Sequence, residues 1–565
     1  SDIVPHCARS LPAVCRIPGR GAATLISIVE DEYGILLTTI HVVGSKQEAM
    51  GMVASFHDND VRKRRIECRL RPDKMFYTPK PPIDTYLQDP NKQLGDEYLP
   101  YCIVACNLTG IGPGNIEDIA PIEFPITLSL RTLAKVQVNN IHLAVQFPLG
   151  GTERKYLLSQ VESQTEHVCQ YRVDEKMTGY VATGGPWFNR HGVCVGLCHH
   201  TRNYVQSIPI TSIVQNLFNN DMLGHVVFQI HDSDPTLADK YDRAGELLPT
   251  PTGVFWKDVW DTWYEDDELA NLVHFVNAFV YCPPILIHAF TQLTQPAFRD
   301  SVVHMAREGG IWPVLRIIDK HSDKQRVIEP AIASLGTASS FESNRSQLTT
   351  FEAIPIVLAC MKGFPEAERI HQWSIFIILN LCEYSDENKT AFLSLDGFDE
   401  QCASMMRFTS NAYLQRWAVH LMALLVQDNA ENEDLVFKAG GIPHVLSAAK
   451  TFSTNTSVME NVVIALQIFT KQSAQITEFL IQQNGLDVLI AAMELDPRNE
   501  VVMANALAAL RNFLLHDRAL VTAAVDKGYP LVMYNATCYF TNSPEVITNA
   551  VNCCICMGLD PLDKL

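Results

Sequence analysis

Hydrophobic residues along the chain follow two different periods. Over residues 1–218 they fall in short apolar runs, among them "AATLISIV", "GILLTTIHVV", "YCIVACNL", "NNIHLAVQF" and "GVCVGLC", separated by turn residues. Evenly spaced runs of this kind predict short strands and an all-β barrel or sandwich. Residues 219–265 are mixed. Within them "PTLADKYDRAGELLPTPTG" reads as a linker, and the aromatic, acidic "FWKDVWDTWYEDDE" (255–268) is expected to pack that linker onto a neighbour. From 266 to 565 the apolar spacing becomes helical.

The helical part repeats. The phrases "REGGIWPVLRII", "TFEAIPIVLACM", "SLDGFDEQCASM", "KAGGIPHVLSAA", "QQNGLDVLIAAM" and "VDKGYPLVMYNA" align at Gly310, Ala353, Gly397, Gly441, Gly485 and Gly528, with spacings of 43, 44, 44, 44 and 43 residues. A second register, 25 residues after each anchor, reads Leu335, Ile378, Met422, Leu466, Leu510 and Cys553, as the core position of a third helix should. A period of 40–47 residues with two or three helices per unit points to an armadillo or HEAT solenoid, in which units bury their apolar faces on one another. Glycine at five of the six anchors fits a turn where positive φ costs little. The phrases G-G-I-P-x-V-L and "ANALAALRNFL" closely resemble armadillo repeats. That resemblance implies about six units over 266–565, with "DDELANLVHFVNAFV" (266–280) as an atypical capping unit.

Composition narrows the functional classes. Hydrophobic residues make up 47% and charged residues 19%, so a large packed core is expected. The net charge of −19 argues against non-specific nucleic-acid binding, which needs positive charge to release counterions. The basic run "VRKRRIECRLR" (61–71) reads as the solvent face of a strand. No apolar stretch is long enough to span a membrane, and "SDIVPHCARSLPAVCRI" lacks the pattern of a secretory leader. The 16 cysteines show no zinc spacing, even in "NCCICMG", and read as buried thiols of a cytoplasmic protein. Neither a cofactor nor a metal is expected.

Four phrases of the β-rich part resemble the chymotrypsin-fold peptidases, in family order. "GRGAATLISIVEDEYGILLTTIHVVGS" (19–45) resembles the opening strands that end in the general-base histidine. "VQVNNIHLAVQFPLGG" (136–151) resembles a later strand and loop. "GYVATGGPWFNRHGVCVGLCHH" (179–200) resembles the nucleophile segment and cleft wall, and "YVQSIPITSIVQNLF" (204–218) the closing strand and helix. The resemblance implies a double barrel, with His41 as base and Thr183 in place of the nucleophilic serine. The carboxylate position falls on Pro100, or in a second alignment on Asp118. The oxyanion-hole glycine position is Val181, and Ala182 replaces the acid that receives a zymogen's new N-terminus, so "CRIPG" (15–19) is not read as an activation site. Met177 lies near the specificity position and suggests no charged first-position substrate.

A serine-peptidase mechanism requires nucleophile, base, orienting carboxylate and oxyanion donors. Three of these four are altered here. Threonine's extra methyl stiffens χ1, and without the carboxylate the histidine loses tautomer control. The expectation is therefore a degenerate peptidase whose edge strand "GVCVGLCHH" can still accept an extended chain. The alternative is an active endopeptidase using Thr183 and His41, with the repeats recruiting substrates. His199 and His200 end that strand and point to opposite faces, against a metal pair. Armadillo grooves hold extended peptides. Trp373, Asn380, Trp417 and Asn512 form no repeated Trp–Asn ladder, which argues against a nuclear-import receptor. The expected partners are proteins or peptides, bound by the repeat groove and the protease-like cleft. No nucleic acid or membrane is expected among them.

Overall fold

The computed structural model describes residues 11–29, 33–56, 65–79, 99–108, 140–147, 153–165, 168–172, 182–191, 193–200, 204–220, 222–223, 230–231, 254–255, 260, 269–280, 282–296 and 301–559. It has two compact units, dividing between Ala289 and Phe290. The first is mainly β and the second is a stack of helices, as the two periods predict.

Two large sheets build the first unit, beside a short parallel pair of Ile230–His231 and Val254–Phe255. One contains β1 (Val14–Ile17), β2 (Gly21–Val29), β3 (Tyr33–Thr39), β4 (Val53–Phe56), β5 (Ile66–Arg69), β6 (Phe76–Tyr77) and β7 (Tyr101–Asn107), in the order β5-β4-β1-β2-β3-β7-β6. A bridge between Leu70 and Cys106 brings the end of β5 onto β7, so this sheet curls into a half-barrel. The other sheet is a closed barrel of β8 (Ile141–Gln146), β9 (Lys155–Gln164), β10 (Cys169–Tyr171), β11 (Ala182–Phe188), β12 (Cys194–His200) and β13 (Val205–Pro209), in the order β10-β13-β12-β11-β8-β9. Strand β11 packs against β2, and every residue of it is buried. That burial on both faces explains why "ATGGPWF" lacks the polar–apolar alternation of a half-solvated strand.

The helix Ile210–Asn219 closes the sequence of strands. Asn216 ties it to the first sheet by accepting from the hydroxyls of Tyr77 (3.1 Å) and Tyr101 (2.8 Å). The helix Leu269–Ala278, expected from its spacing to cap the repeats, belongs to the first unit. Its Phe275, with Phe279 just beyond its end, packs on Phe218 at centroid distances of 6.4 and 6.2 Å and joins the core of the strands. The physical reason is an apolar face that finds its partner in the preceding helix.

In the second unit the third helices of successive repeats stack on one another: Gln325–Ser339, Glu368–Cys382, Ala412–Val426, Thr456–Gln472, Glu500–His516 and Pro544–Met557. Leu335, Ile378, Met422, Leu466, Leu510 and Cys553 are all fully buried there. The anchor glycines act differently from the expectation. Positive φ falls one residue earlier, at Gly309, Glu352, Asp396, Gly440 and Asn484, and on Gly528 itself in the last unit. Gly397, Gly441 and Gly485 are instead the first residues of their helices, small because a side chain at each would press on Phe392, Val436 and Leu480. Every described cysteine except Cys538 and Cys556 is buried, and no described helix is long and apolar enough to cross a membrane.

Candidate functional site

Two of the residues singled out for catalysis, His41 and Thr183, lie where β3, β11 and β12 meet. Strand β3 ends at Thr39, and the turn after it is fixed by Val42 and Val43, whose N–H groups donate to the Thr39 carbonyl (3.0 and 3.1 Å). This turn carries His41, half-buried, with its ring 5.4 Å from that of His199 on β12. Pairing of β11 with β12 sets Thr183 opposite His199 and Ala182 opposite His200. The fold thus brings His41 and Thr183 into one neighbourhood, through His199.

Thr183 is 3% exposed. Its hydroxyl lies 3.2 Å from the Cys198 carbonyl, to which it donates, and 2.8 Å from the Thr39 hydroxyl. A hydroxyl has one proton and two lone pairs. With the proton on Cys198, Thr39 is the donor in the second bond, giving a relay Thr39 to Thr183 to the Cys198 carbonyl. The Cys198 thiol beside it is pushed up to about 12 by burial and is no nucleophile at neutral pH.

Of the two positions offered for the orienting acid, that of Pro100 is described. Ile40, next to His41, donates its N–H to the Pro100 carbonyl at 3.1 Å. Residue 100 therefore stands beside the histidine turn and, being proline, brings no carboxylate. Asp118, Val181 and Met177 lie outside the described residues.

The two glycines of T-G-G-P have a packing role. Gly184 adopts φ of +85°, and a Cβ there would run into the Ala22 carbonyl and the Thr38 hydroxyl. A Cβ at Gly185 would run into the Val145 carbonyl. These are the points where β11 crosses close to β2 and β8. Thr38 and Thr39, both fully buried, are the residues that sequence reasoning passed over. Their only signal was the pair of threonines before His41, at positions an apolar strand would fill with aliphatics. Among the described residues no group of three or more His, Cys, Asp or Glu is placed to hold a metal.

On the helical unit, the rings of Trp373, Phe376, Tyr413 and Trp417 adjoin across two successive third helices, with centroids 4.4–6.1 Å apart. Asn380 and Asn512, which belong to no repeated Trp–Asn ladder, are engaged within the stack. Asn380 donates to the Ser339 hydroxyl (2.8 Å) and Asn512 to the Thr470 hydroxyl (3.2 Å) of the preceding unit.

No family model and no curated protein matches the chain. Solved structures are similar in part. One engineered protein is 14% identical, covering 53% of this chain and 74% of its own, with a TM-score of 0.40. A second engineered protein is 14% identical, covering 45% and 98%, with a TM-score of 0.36. A structure reported with a phosphorylation switch controlling the interaction between cadherin and beta-catenin is 11% identical, covering 61% and 83%, with a TM-score of 0.33.

Proposed function

We propose that the chain is a protein-binding scaffold in which a catalytically impaired trypsin-like domain is joined to an armadillo-type solenoid. One observation carries the reading. The hydroxyl at the nucleophile position, on Thr183, is buried and gives its proton to the Cys198 carbonyl. A serine-type nucleophile must give that proton to a histidine base. Two observations support the same conclusion. Pro100 brings no carboxylate to the histidine turn. A side chain at either T-G-G-P glycine would run into neighbouring backbone, so the motif has a use that does not depend on catalysis. In the helical unit, stacked third helices form the extended surface that solenoids offer to protein partners.

The test is a fluorophosphonate probe on the full chain, read by intact mass. The expected result is no adduct on the wild type. An adduct that disappears in both Thr183→Ala and His41→Ala overturns the proposal in favour of an active endopeptidase.

A further inference from the structure

The joints between repeats bury the same four positions each time, two on a third helix and two on the second helix of the repeat that follows. Between the first and second repeats these are Ile328, Ala331, Val357 and Cys360, and between the fourth and fifth Met459, Val462, Leu489 and Ala492, all buried. Between the second and third they are His371, Ser374, Gln401 and Ser404, all fully buried and all polar. No other joint among the described residues is polar at all four positions. The next joint has one polar residue, Gln415, and its amide is satisfied, donating to the Met405 and Phe408 carbonyls (2.8 and 3.2 Å).

The four polar residues do not satisfy one another. Gln401 donates its amide to the Ala418 carbonyl (2.8 Å), but its Oε1 and the Ser374 Oγ have no hydrogen-bond partner among the described residues. The network around His371 is short of a proton. Its Nδ1 lies 2.7 Å from the Ser404 hydroxyl, its Nε2 3.1 Å from the Phe364 carbonyl, and the same hydroxyl 2.7 Å from the Glu400 carbonyl. Burial keeps the ring neutral down to a pH of about 4. A neutral imidazole and one hydroxyl supply two protons to these three contacts. Buried polar atoms left without a partner weaken a joint that apolar residues would strengthen. The contacts that hold this joint shut are half-buried or exposed. Asn411 donates to Glu368 and Gln372 (2.8 and 3.0 Å), Arg407 lies 3.5 Å from Glu366, and the rings of Phe376 and Trp417 stand 4.4 Å apart. Exposed ion pairs of this kind add little.

We propose that the joint between the second and third repeats is the breakpoint of the helical stack, where the first two repeats open from the other four as one block. In a linear stack, stability is a sum of repeat and nearest-neighbour terms, so the stack separates at its weakest joint. Opening parts Trp373 and Phe376 from Tyr413 and Trp417, so the aromatic cluster is intact only while the joint is closed. Two repeats cut off from their neighbours are too few to hold their fold, and amide exchange within them reports the opening.

Hydrogen-exchange mass spectrometry of the full chain at neutral pH, in urea below the main transition, tests this. In the wild type, Gln325–Ser339 and Glu368–Cys382 are expected to exchange together, about tenfold faster than Ala412–Val426. A smooth gradient from the first repeat, as fraying of an end would give, overturns the proposal, and so does equal protection in all third helices. The pair Ser374→Ala and Gln401→Val removes both unpartnered oxygens and installs residues that other repeats carry at these positions, Ala331 and Val357. It is expected to slow exchange in Gln325–Ser339 and Glu368–Cys382 about tenfold and to leave Thr456–Gln472 and Glu500–His516 unchanged. The pair His371→Met and Ser404→Ala, copied from Met459 and Ala492, removes the network short of a proton and is expected to act in the same direction. A step in protection that neither pair moves, or a change of equal size in every third helix, overturns the proposal.

Discussion

Two glycine-bearing turns do different jobs in the two units. At Gly184 the strand β11 takes a left-handed backbone and has neighbours on top of it, the Ala22 carbonyl and the Thr38 hydroxyl. At Gly440, before the fourth repeat, the backbone is also left-handed, with φ of +79°, but a Cβ there would meet open space. One site restricts both conformation and volume, the other conformation alone. The repeats display that tolerance themselves, since Glu352, Asp396 and Asn484 occupy positions equivalent to Gly440 with positive φ. A feature used once, at a seam between two sheets, admits a single residue type. A feature used at every joint admits several, because the rest of the unit holds the turn.

The largest effect expected from this difference is at the seam. Gly184→Ala adds a methyl against a backbone oxygen and forces a non-glycine residue into the left-handed region, for a cost of about 4 kcal/mol. Hydrogen-exchange mass spectrometry should show lost protection in peptides covering β2 and β11. The helical peptides are expected to stay protected, as belongs to a separate compact unit. Equal loss in both units breaks the comparison, because the two would then unfold as one.

Legibility in the sequence follows the same line. The helical unit declared itself because its constraint recurs every 43 or 44 residues, and six weak signals in register make a strong one. Even so, the anchor glycines were credited with a positive φ that belongs to the residue before them. Periodicity locates a position without stating its backbone conformation. In the first unit the strands were legible from apolar runs, and the strand pairing that sets Thr183 opposite His199 was not. The hydrogen bond between Thr39 and Thr183 was not legible, because it joins residues 144 apart and depends on how β3 meets β11. The attachment of Leu269–Ala278 to the strands was equally hidden, since an apolar helical face does not name its partner.

A second prediction separates the units by pH. Each contains a buried histidine held down to about 4 by burial: His142 in the barrel, beside the Tyr171 hydroxyl at 3.1 Å, and His371 in the stack. His371 Nδ1 lies 2.7 Å from the Ser404 hydroxyl, and its Nε2 lies 3.1 Å from the Phe364 carbonyl, a bond that offsets part of the effect of burial. Glu400 lies 3.9 Å away on the next repeat. In the unfolded chain these rings take a proton near pH 6.5. Between 6.5 and about 4 the unfolded state binds a proton that the folded state refuses. Each contribution is therefore complete above pH 6.5 and is lost as the pH falls toward 4. At pH 5 the loss is about 2 kcal/mol per histidine. Urea unfolding at pH 7.5 and pH 5, read by exchange in each unit, should show both effects. His142→Gln should flatten the response of the barrel alone and His371→Gln that of the stack alone. A substitution that flattens both responses shows that the units are coupled.

The smallest effects lie at the repeat turns and have opposite signs. Gly440→Ala puts a side chain where φ is positive and no neighbour interferes, so the cost is the conformational one of about 1 kcal/mol. Asp396→Gly relieves the same conformation, with φ of +57°, at a residue whose side chain makes no capping bond to the helix it precedes. The relief is offset by the extra freedom glycine gives the unfolded chain, leaving a gain of about 0.5 kcal/mol. Measured together in urea, the two substitutions should move the helical transition in opposite directions by small steps and leave the β transition in place. A loss at Gly440 as large as that at Gly184 requires an unseen neighbour at the repeat turn, and the distinction between restricted volume and restricted conformation then fails. A loss at Asp396→Gly instead of a gain requires that the carboxylate itself stabilises the helix start, where the dipole of Gly397–Arg407 favours negative charge. Repeating the measurement in 1 M salt separates that possibility, because a dipole effect is screened and a φ effect is not.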